Sequence, residues 1–231
     1  MSHGASACVS YREILRRYGA RCCWQAYYFR KVARYLECRE HTATKHIRAK
    51  THAQITIPEL LFLRWNIRRH RPGTVVEIGS YCGATTSILA ETLRQLGHGR
   101  VYALDLFSRS SGGSHHVPGY SKIFDETMQP YRGWFEKVEG DSKTIPWNQP
   151  IDVLFIDGDH SEEGVRADLI KYMPYIKPGG LVFLHDYIDV PQDNSLVKRA
   201  VDSTVLRDPA YRIMGLVSTL IGFRKIVSAS R

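Results

Sequence analysis

The sequence predicts an α/β protein: a seven-stranded, mostly parallel sheet with helices on both faces, preceded by an N-terminal helical extension. Three observations predict it. From Thr74 onward, short apolar runs alternate with segments of helical periodicity, the pattern of a parallel sheet covered on both sides. The last two runs follow each other with almost no intervening helix, which suggests an antiparallel pair at the sheet edge. Ahead of Thr74 the apolar residues recur at helical spacing and no strand pattern is present.

Residues 11–38 read as helix, because Ile14, Leu15, Tyr18, Trp24, Tyr27, Tyr28, Val32, Tyr35 and Leu36 recur at roughly helical spacing among arginines; Gly19 is a point at which the run can break. The polar stretch 39–54 lacks periodicity and reads as a linker or mobile flap. A second helix is expected from Pro58 to about His70, with proline in its first turn and Leu60, Leu61, Leu63 and Trp65 as apolar cover. Strands are expected near 74–78, 100–105, 136–139, 151–156, 180–184, 211–215 and 219–224, and helices near 84–96, 121–132, 161–174 and 194–206. Residues 107–120, rich in serine, glycine and histidine, leave a strand end as a long loop that reads as a substrate lid or as disorder. No internal repeat is present. The chain thus divides into a basic helical extension with linker, 1–55, and an α/β domain, 56–231.

Bulk properties bound what this domain can be. At 231 residues the chain holds one such domain and an appendage. Its 43% hydrophobic and 24% charged residues are those of a globular protein. No apolar run reaches the roughly 20 residues of a bilayer span, and the N-terminus lacks a signal-peptide core, so a cytoplasmic location is expected. The five cysteines follow no metal-ligand spacing and read as reduced thiols. The formal charge of +9 is uneven: residues 1–71 carry 15 Lys/Arg against 4 Asp/Glu, and residues 72–231 carry 17 against 19. A basic extension suits an anionic partner, such as nucleic acid, membrane phosphate or a phosphorylated substrate; a solvated helix face or subunit contact is the other reading.

The strongest local signal is Val75-Val76-Glu77-Ile78-Gly79-Ser80-Tyr81-Cys82-Gly83-Ala84-Thr85-Thr86, an apolar strand running into a glycine turn and then a helix. Gly79 and Gly83 let backbone approach a ligand, and the helix start offers unpaired N–H groups. The spacing is not the dinucleotide fingerprint. Glu77 at the strand end would repel a pyrophosphate and better suits a cationic cofactor such as S-adenosylmethionine. Asp105 ends the next strand, 28 residues after Glu77, roughly the position that binds ribose hydroxyls in doubly wound nucleotide sites. Asp141 and Ser142 follow the third strand, where they could hydrogen-bond an adenine.

Two further strands, Ile151–Ile156 and Leu181–Leu184, lead into Asp157-Gly158-Asp159-His160 and His185-Asp186-Tyr187. Carboxyl ends of strands form the ligand crevice of an open α/β sheet, so Asp157 and Asp186 should converge there. Two oxygen ligands plus water suit Mg²⁺, and His160 can take a hydroxyl proton near neutral pH. Each has a plainer reading: the aspartates as cofactor and loop contacts, His160 as a capping or structural residue.

Taken together, EIGSYCGATT, ALD, EGDS, LFIDGDH and KPGGLVFLHDY resemble class I S-adenosylmethionine-dependent methyltransferases, most closely the small-molecule group that includes macrocin, cephalosporin-pathway and sugar O-methyltransferases. The resemblance covers about residues 56–225 and implies a Rossmann-like sheet. It also implies Glu77, Gly79, Ser80 and Gly83 around the methionine part, Asp105 at the ribose, and Asp141 and Ser142 near the adenine. Asp157 and Asp186 are implied as metal ligands and His160 as base. The chain departs from some metal-dependent relatives in carrying His185 where they have an acidic residue, which makes a two-carboxylate, one-imidazole site of Asp157, His185 and Asp186. The expected activity is methyl transfer to a hydroxyl of a small molecule, such as a sugar or natural-product intermediate, with an anionic acceptor suiting the basic arm. Helices ahead of the sheet suit a homo-oligomer. Rival readings are a nucleic-acid methyltransferase using the aromatic, arginine-rich extension, a non-catalytic binder of the same cofactor, and an NAD site.

Overall fold

The computed structural model of the chain describes residues 51, 53–107, 117–188 and 195–226. The helix expected over 11–38, nearly all of the linker and most of the 107–120 loop lie outside the described residues. Helices α1 (Ile57–His70), α2 (Ala84–Leu96), α3 (Tyr120–Met128), α4 (Glu162–Tyr172) and α5 (Leu196–Ser203) alternate with seven strands. These are β1 (Thr74–Ile78), β2 (Arg100–Asp105), β3 (Phe135–Glu139), β4 (Ile151–Ile156), β5 (Ile176–Leu184), β6 (Tyr211–Val217) and β7 (Leu220–Lys225).

One sheet holds all seven, in the order β3-β2-β1-β4-β5-β7-β6. The first five run parallel, while β7 is antiparallel to both β5 and β6, as the short link between the last two runs predicted. The chain starts in the middle at β1, winds outward through β2 and β3, then reverses to β4 on the other side. That reversal opens a crevice at the carboxyl ends of β1 and β4.

Side-chain alternation sends each central strand to two cores. Val75, Val101, Ala103, Val153 and Phe183 pack under α1, α2 and α3, together with Leu63, Leu89 and Phe124. Val76, Leu104, Leu154 and Val182 pack under α4 and α5 with Leu169, Tyr172 and Val201. This is the Rossmann-like three-layer arrangement. Ile55 is 3% exposed and belongs to the first core, so the packed chain begins ahead of the boundary expected at 56.

Strand and helix bounds differ from expectation where proline or glycine intervenes. Strand β5 begins at Ile176, four residues early, because Lys177-Pro178-Gly179-Gly180 is absorbed as an irregularity between the Ile151–Ile176 and Val153–Leu181 pairs. Helices α3 and α4 stop at Met128 and Tyr172, where Pro130 and Pro174 tighten the chain into single 3₁₀ turns. Among the described residues no helix is long and apolar enough to cross a membrane.

Candidate active site

The crevice is a cavity of about 690 Å³, within the range of roughly 300–1,000 Å³ of small-molecule sites. Its walls are the tips of β1, β2, β3, β4 and β5, with Ala53, Gln54 and Ile55 facing them from ahead of α1. Of the expected site residues, Gly79, Ser80, Asp105, Asp141, Ser142, Asp157, His160, His185 and Asp186 all line it.

Gly79 opens the turn after β1 at φ 86°, and a Cβ there would overlap the Asp157 carbonyl. Its small size therefore serves the close meeting of the β1 and β4 tips, where the Asp157 N–H donates to Ile78 O at 2.8 Å. The turn delivers Ala84 and Thr85, the first residues of the 13-residue α2, to the cavity wall. Gly83 does not line the cavity. It caps α2 at φ 83°, where a Cβ would crowd Phe124 and Met128.

Glu77 corrects the sequence reading more sharply. It shares the strand face of Val75, so its fully buried carboxylate lies under α2 and away from the cavity lining. Oε2 accepts from Thr86 Oγ1 at 2.5 Å and Ser80 Oγ at 3.0 Å, and Oε1 has no hydrogen-bond partner. Burial pushes its pKa from 4.5 to about 8, against the lowering effect of the two hydroxyls. A neutral carboxyl of this kind braces the turn and offers no negative charge to a cationic ligand.

That shift has a thermodynamic consequence. A raised folded-state pKa means the folded chain holds a proton that the unfolded chain releases, so stability falls as pH rises from about 4.5 to about 8. Glu77→Gln should remove this slope. Relative to the parent it should gain stability between pH 5 and pH 8, by at most about 1.4 kcal/mol per pH unit. Urea midpoints at the two pH values measure it, and an offset independent of pH would contradict the assignment.

Asp105 is held by three donors: the Tyr81 N–H at 2.8 Å, the Phe107 N–H at 3.0 Å and the Tyr120 hydroxyl at 3.0 Å. It ties the β1 turn to β2 and α3, leaving part of its acceptor capacity to the cavity. Asp141 accepts from the Lys143 N–H at 2.9 Å in a tight turn. The Ser142 hydroxyl points toward α4, donating to the buried Asp168 at 2.7 Å, while Lys171 and Tyr172 donate to the Ser142 carbonyl. This anchoring fixes the loop that carries both residues. Lys143 also pairs with Asp159 at 3.0 Å across the rim.

Asp157 and Asp186 do converge. Asp186 adopts φ 53°, a left-handed conformation that turns its carboxylate back over the β4 tip. The ligand atoms of Asp157, His160 and Asp186 all lie within 4.8 Å of one another, a spacing that fits a divalent cation. His160 Nε2 stands 3.3 Å from Asp157 Oδ1 and 3.6 Å from Asp186 Oδ2 on the open side, with half its side chain exposed. The residue precedes the N-cap Ser161 and caps no helix. On the buried side, His185 Nδ1 lies 3.2 Å from Asp157 Oδ1 and 3.3 Å from Asp186 Oδ1.

The charges are strongly coupled. Burial would raise the Asp157 carboxyl, but His185 and His160 overcome it and hold it at about 2. The hydrogen bond to Asp157 raises His160 above the ordinary imidazole value. Burial opposes charge on His185, and Asp157, Asp186 and Glu59 overcome it, pushing its pKa up to about 12.

Glu59 and Thr219 are the participants that sequence reasoning missed. Glu59 is fully buried and accepts from the Thr56 N–H at 2.6 Å, the Thr219 N–H at 2.8 Å and the Thr219 hydroxyl at 2.8 Å. Its Oε2 lies 3.4 Å from His185 Nε2. The Thr56-x-x-Glu59 capping box was a visible signal for the helix start, but nothing local announces a contact 126 residues away.

Residues 76–187 match the family model described as a methyltransferase domain. The matched segment runs from β1 to just past β5, a little under half of the chain. Solved structures share the fold. The Bacillus cereus O-methyltransferase in complex with SAH superimposes with a TM-score of 0.62 at 15% identity, covering 84% of this chain and 97% of that one. The SAH-bound Podospora anserina methyltransferase PaMTH1 gives 0.62 at 15%, covering 85% and 94%. The Streptomyces achromogenes O-methyltransferase TomG, in complex with SAM, gives 0.56 at 14%, covering 84% and 94%.

Curated relatives match over shorter stretches. The uncharacterized protein R132 of Acanthamoeba polyphaga mimivirus is 32% identical over 83 residues, 36% of this chain and 31% of that protein. The uncharacterized protein y4gI of Sinorhizobium fredii is 22% identical over 140 residues, 54% of this chain. The chain spans only 14% of the latter's length.

Proposed function

We propose that the protein is an S-adenosylmethionine-dependent O-methyltransferase acting on a hydroxyl of a small molecule. The observation that carries the reading is the single cavity in which the turn after β1, Asp105, the Asp141–Ser142 loop and the Asp157–His160–Asp186 group meet. S-adenosylmethionine would supply a methyl group on an electrophilic sulfonium. Gly79, Ser80 and the start of α2 are the groups for its methionine part, Asp105 for the ribose, and Asp141 with the Ser142 backbone for the adenine. Asp157, at the junction, serves both the cofactor and the reaction. The likeness to proteins described as O-methyltransferases supports oxygen as the acceptor atom.

The chain's own task is alignment and proton removal. Holding acceptor oxygen, methyl carbon and sulfur in line supplies roughly 7–11 kcal/mol of the barrier. As the new C–O bond forms and the C–S bond breaks, the hydroxyl proton passes to His160 Nδ1, the ring nitrogen left free when Nε2 donates to Asp157, and the charged ring is stabilised by Asp157 and Asp186. Asp157 and Asp186 would hold a divalent cation, and such an ion would lower the acceptor's pKa. The lining carries Asp105, Asp141, Asp157, Asp159 and Asp186 against Lys143 and two histidines, which disfavours a polyanionic acceptor such as nucleic acid.

The test is binding of the demethylated product. S-adenosylhomocysteine should raise the melting temperature and give a heat of binding, with a stabilisation of about 2.7 kcal/mol when ligand is present at 100 times its Kd. NAD should do neither. A purified, folded chain indifferent to the nucleoside would end this reading.

A further inference from the structure

We infer that Asp157, His185 and Asp186 form a site for a borderline transition ion such as Mn²⁺, Fe²⁺ or Zn²⁺, held in preference to Mg²⁺, with Glu59 as the residue that positions the imidazole. The inference rests on the methyltransferase reading of the same cavity and names an ion class for it.

The His185 ring is 5% exposed, and its Nδ1 is buried without a hydrogen-bond partner while aimed between two carboxylates. Its distances of 3.2 Å to Asp157 Oδ1 and 3.3 Å to Asp186 Oδ1 are those of neighbouring donors on one ion. With metal–ligand bonds of about 2.0–2.2 Å, donors near right angles stand roughly 3 Å apart. The other ring nitrogen completes the pattern. His185 Nε2 faces Glu59 Oε2 at 3.4 Å and Thr219 Oγ1 at 3.3 Å. Glu59 is itself pinned by Thr56 and Thr219, so its acceptor cannot swing away. A divalent cation between the two aspartates would displace the Nδ1 proton, and a carboxylate fixed behind the imidazole keeps the remaining proton on the far nitrogen, so that the near lone pair faces the metal.

Ligand chemistry then selects the ion. Mg²⁺ takes oxygen donors and sheds water reluctantly, whereas imidazole nitrogen suits the later first-row ions. His160, on the exposed side with Nε2 paired to Asp157, keeps Nδ1 for the acceptor's proton.

The experiment uses the full chain, stripped with a chelator and saturated with S-adenosylhomocysteine, titrated calorimetrically with MnCl₂, ZnCl₂ and MgCl₂. One Mn²⁺ or Zn²⁺ should bind per chain, at least tenfold more tightly than Mg²⁺. His185→Asp should erase that preference, Glu59→Gln should weaken Mn²⁺ binding by 10–100-fold with nucleoside affinity unchanged, and His160→Ala should leave it intact. Spin-echo spectra of the Mn²⁺-loaded His160→Ala protein should show a coordinated imidazole nitrogen, a readout that needs no change at Glu59 or His185. Failure of the parent chain to bind any ion, a preference for Mg²⁺, or binding that needs His160 and not His185 would each overturn the inference. Because nucleoside binding is measured first, its absence would sink the methyltransferase reading, and its presence without ion binding would sink only this one.

Discussion

Gly79→Ala is expected to cost about 3 kcal/mol of stability or more, and to abolish nucleoside binding in whatever folded fraction remains. Two effects add. The residue sits at φ 86°, where a side chain is strained by about 1–3 kcal/mol, and its Cβ would overlap backbone of Asp157 and Gly158. Backbone on both sides of the contact directly continues the buried, paired strands β1 and β4, which cannot yield independently. Relief therefore means separating the β1 and β4 tips, which form the floor of the cavity. Chemical denaturation and calorimetry with S-adenosylhomocysteine read the two consequences. A variant of parental stability and affinity would refute the close-approach argument. Gly97→Ala is the control: φ is also positive there, at 76°, but nothing lies within 4 Å, so only the conformational cost should appear.

His160→Ala is expected to slow methyl transfer by about 10²–10⁴-fold while leaving nucleoside affinity unchanged, the range a lost general base costs. The parent's rate should fall as pH drops through a pKa above that of ordinary imidazole, because the hydrogen bond to Asp157 stabilises the protonated ring. The variant should lose that limb of the profile. An unchanged rate would remove His160 from the mechanism and leave alignment as the sole contribution of this part of the site.

The strand tips are legible in the amino-acid pattern. Each functional aspartate follows a short apolar run and a break, and that alternation alone predicts that Asp105, Asp141, Asp157 and Asp186 gather at one end of a parallel sheet. The order β3-β2-β1-β4-β5-β7-β6 then gathers them around one crevice, and the antiparallel pairing of β6 with β7 followed from a link too short for a helix. Helix bounds are legible to within a few residues because proline, glycine and capping side chains act locally.

Glu77 shows where that legibility ends. In Val75-Val76-Glu77-Ile78 every residue is buried, since a central parallel strand is covered on both faces, so no polar alternation tells which side a carboxylate takes. Only the packing of α2 against one face decides that Glu77 meets Thr86 and becomes a neutral brace. Ser142 is similar: its backbone position was predictable, but the direction of its hydroxyl depends on Asp168, which α4 brings up from below.

By itself, then, the sequence determined the sheet, its edge, and the set of acids at its tips, because local propensity and period decide those. Tertiary structure alone decided which acids stay charged and what stands behind them. Burial and distant partners set those properties, and the pairing of Glu59 with His185 joins residues that no local pattern connects.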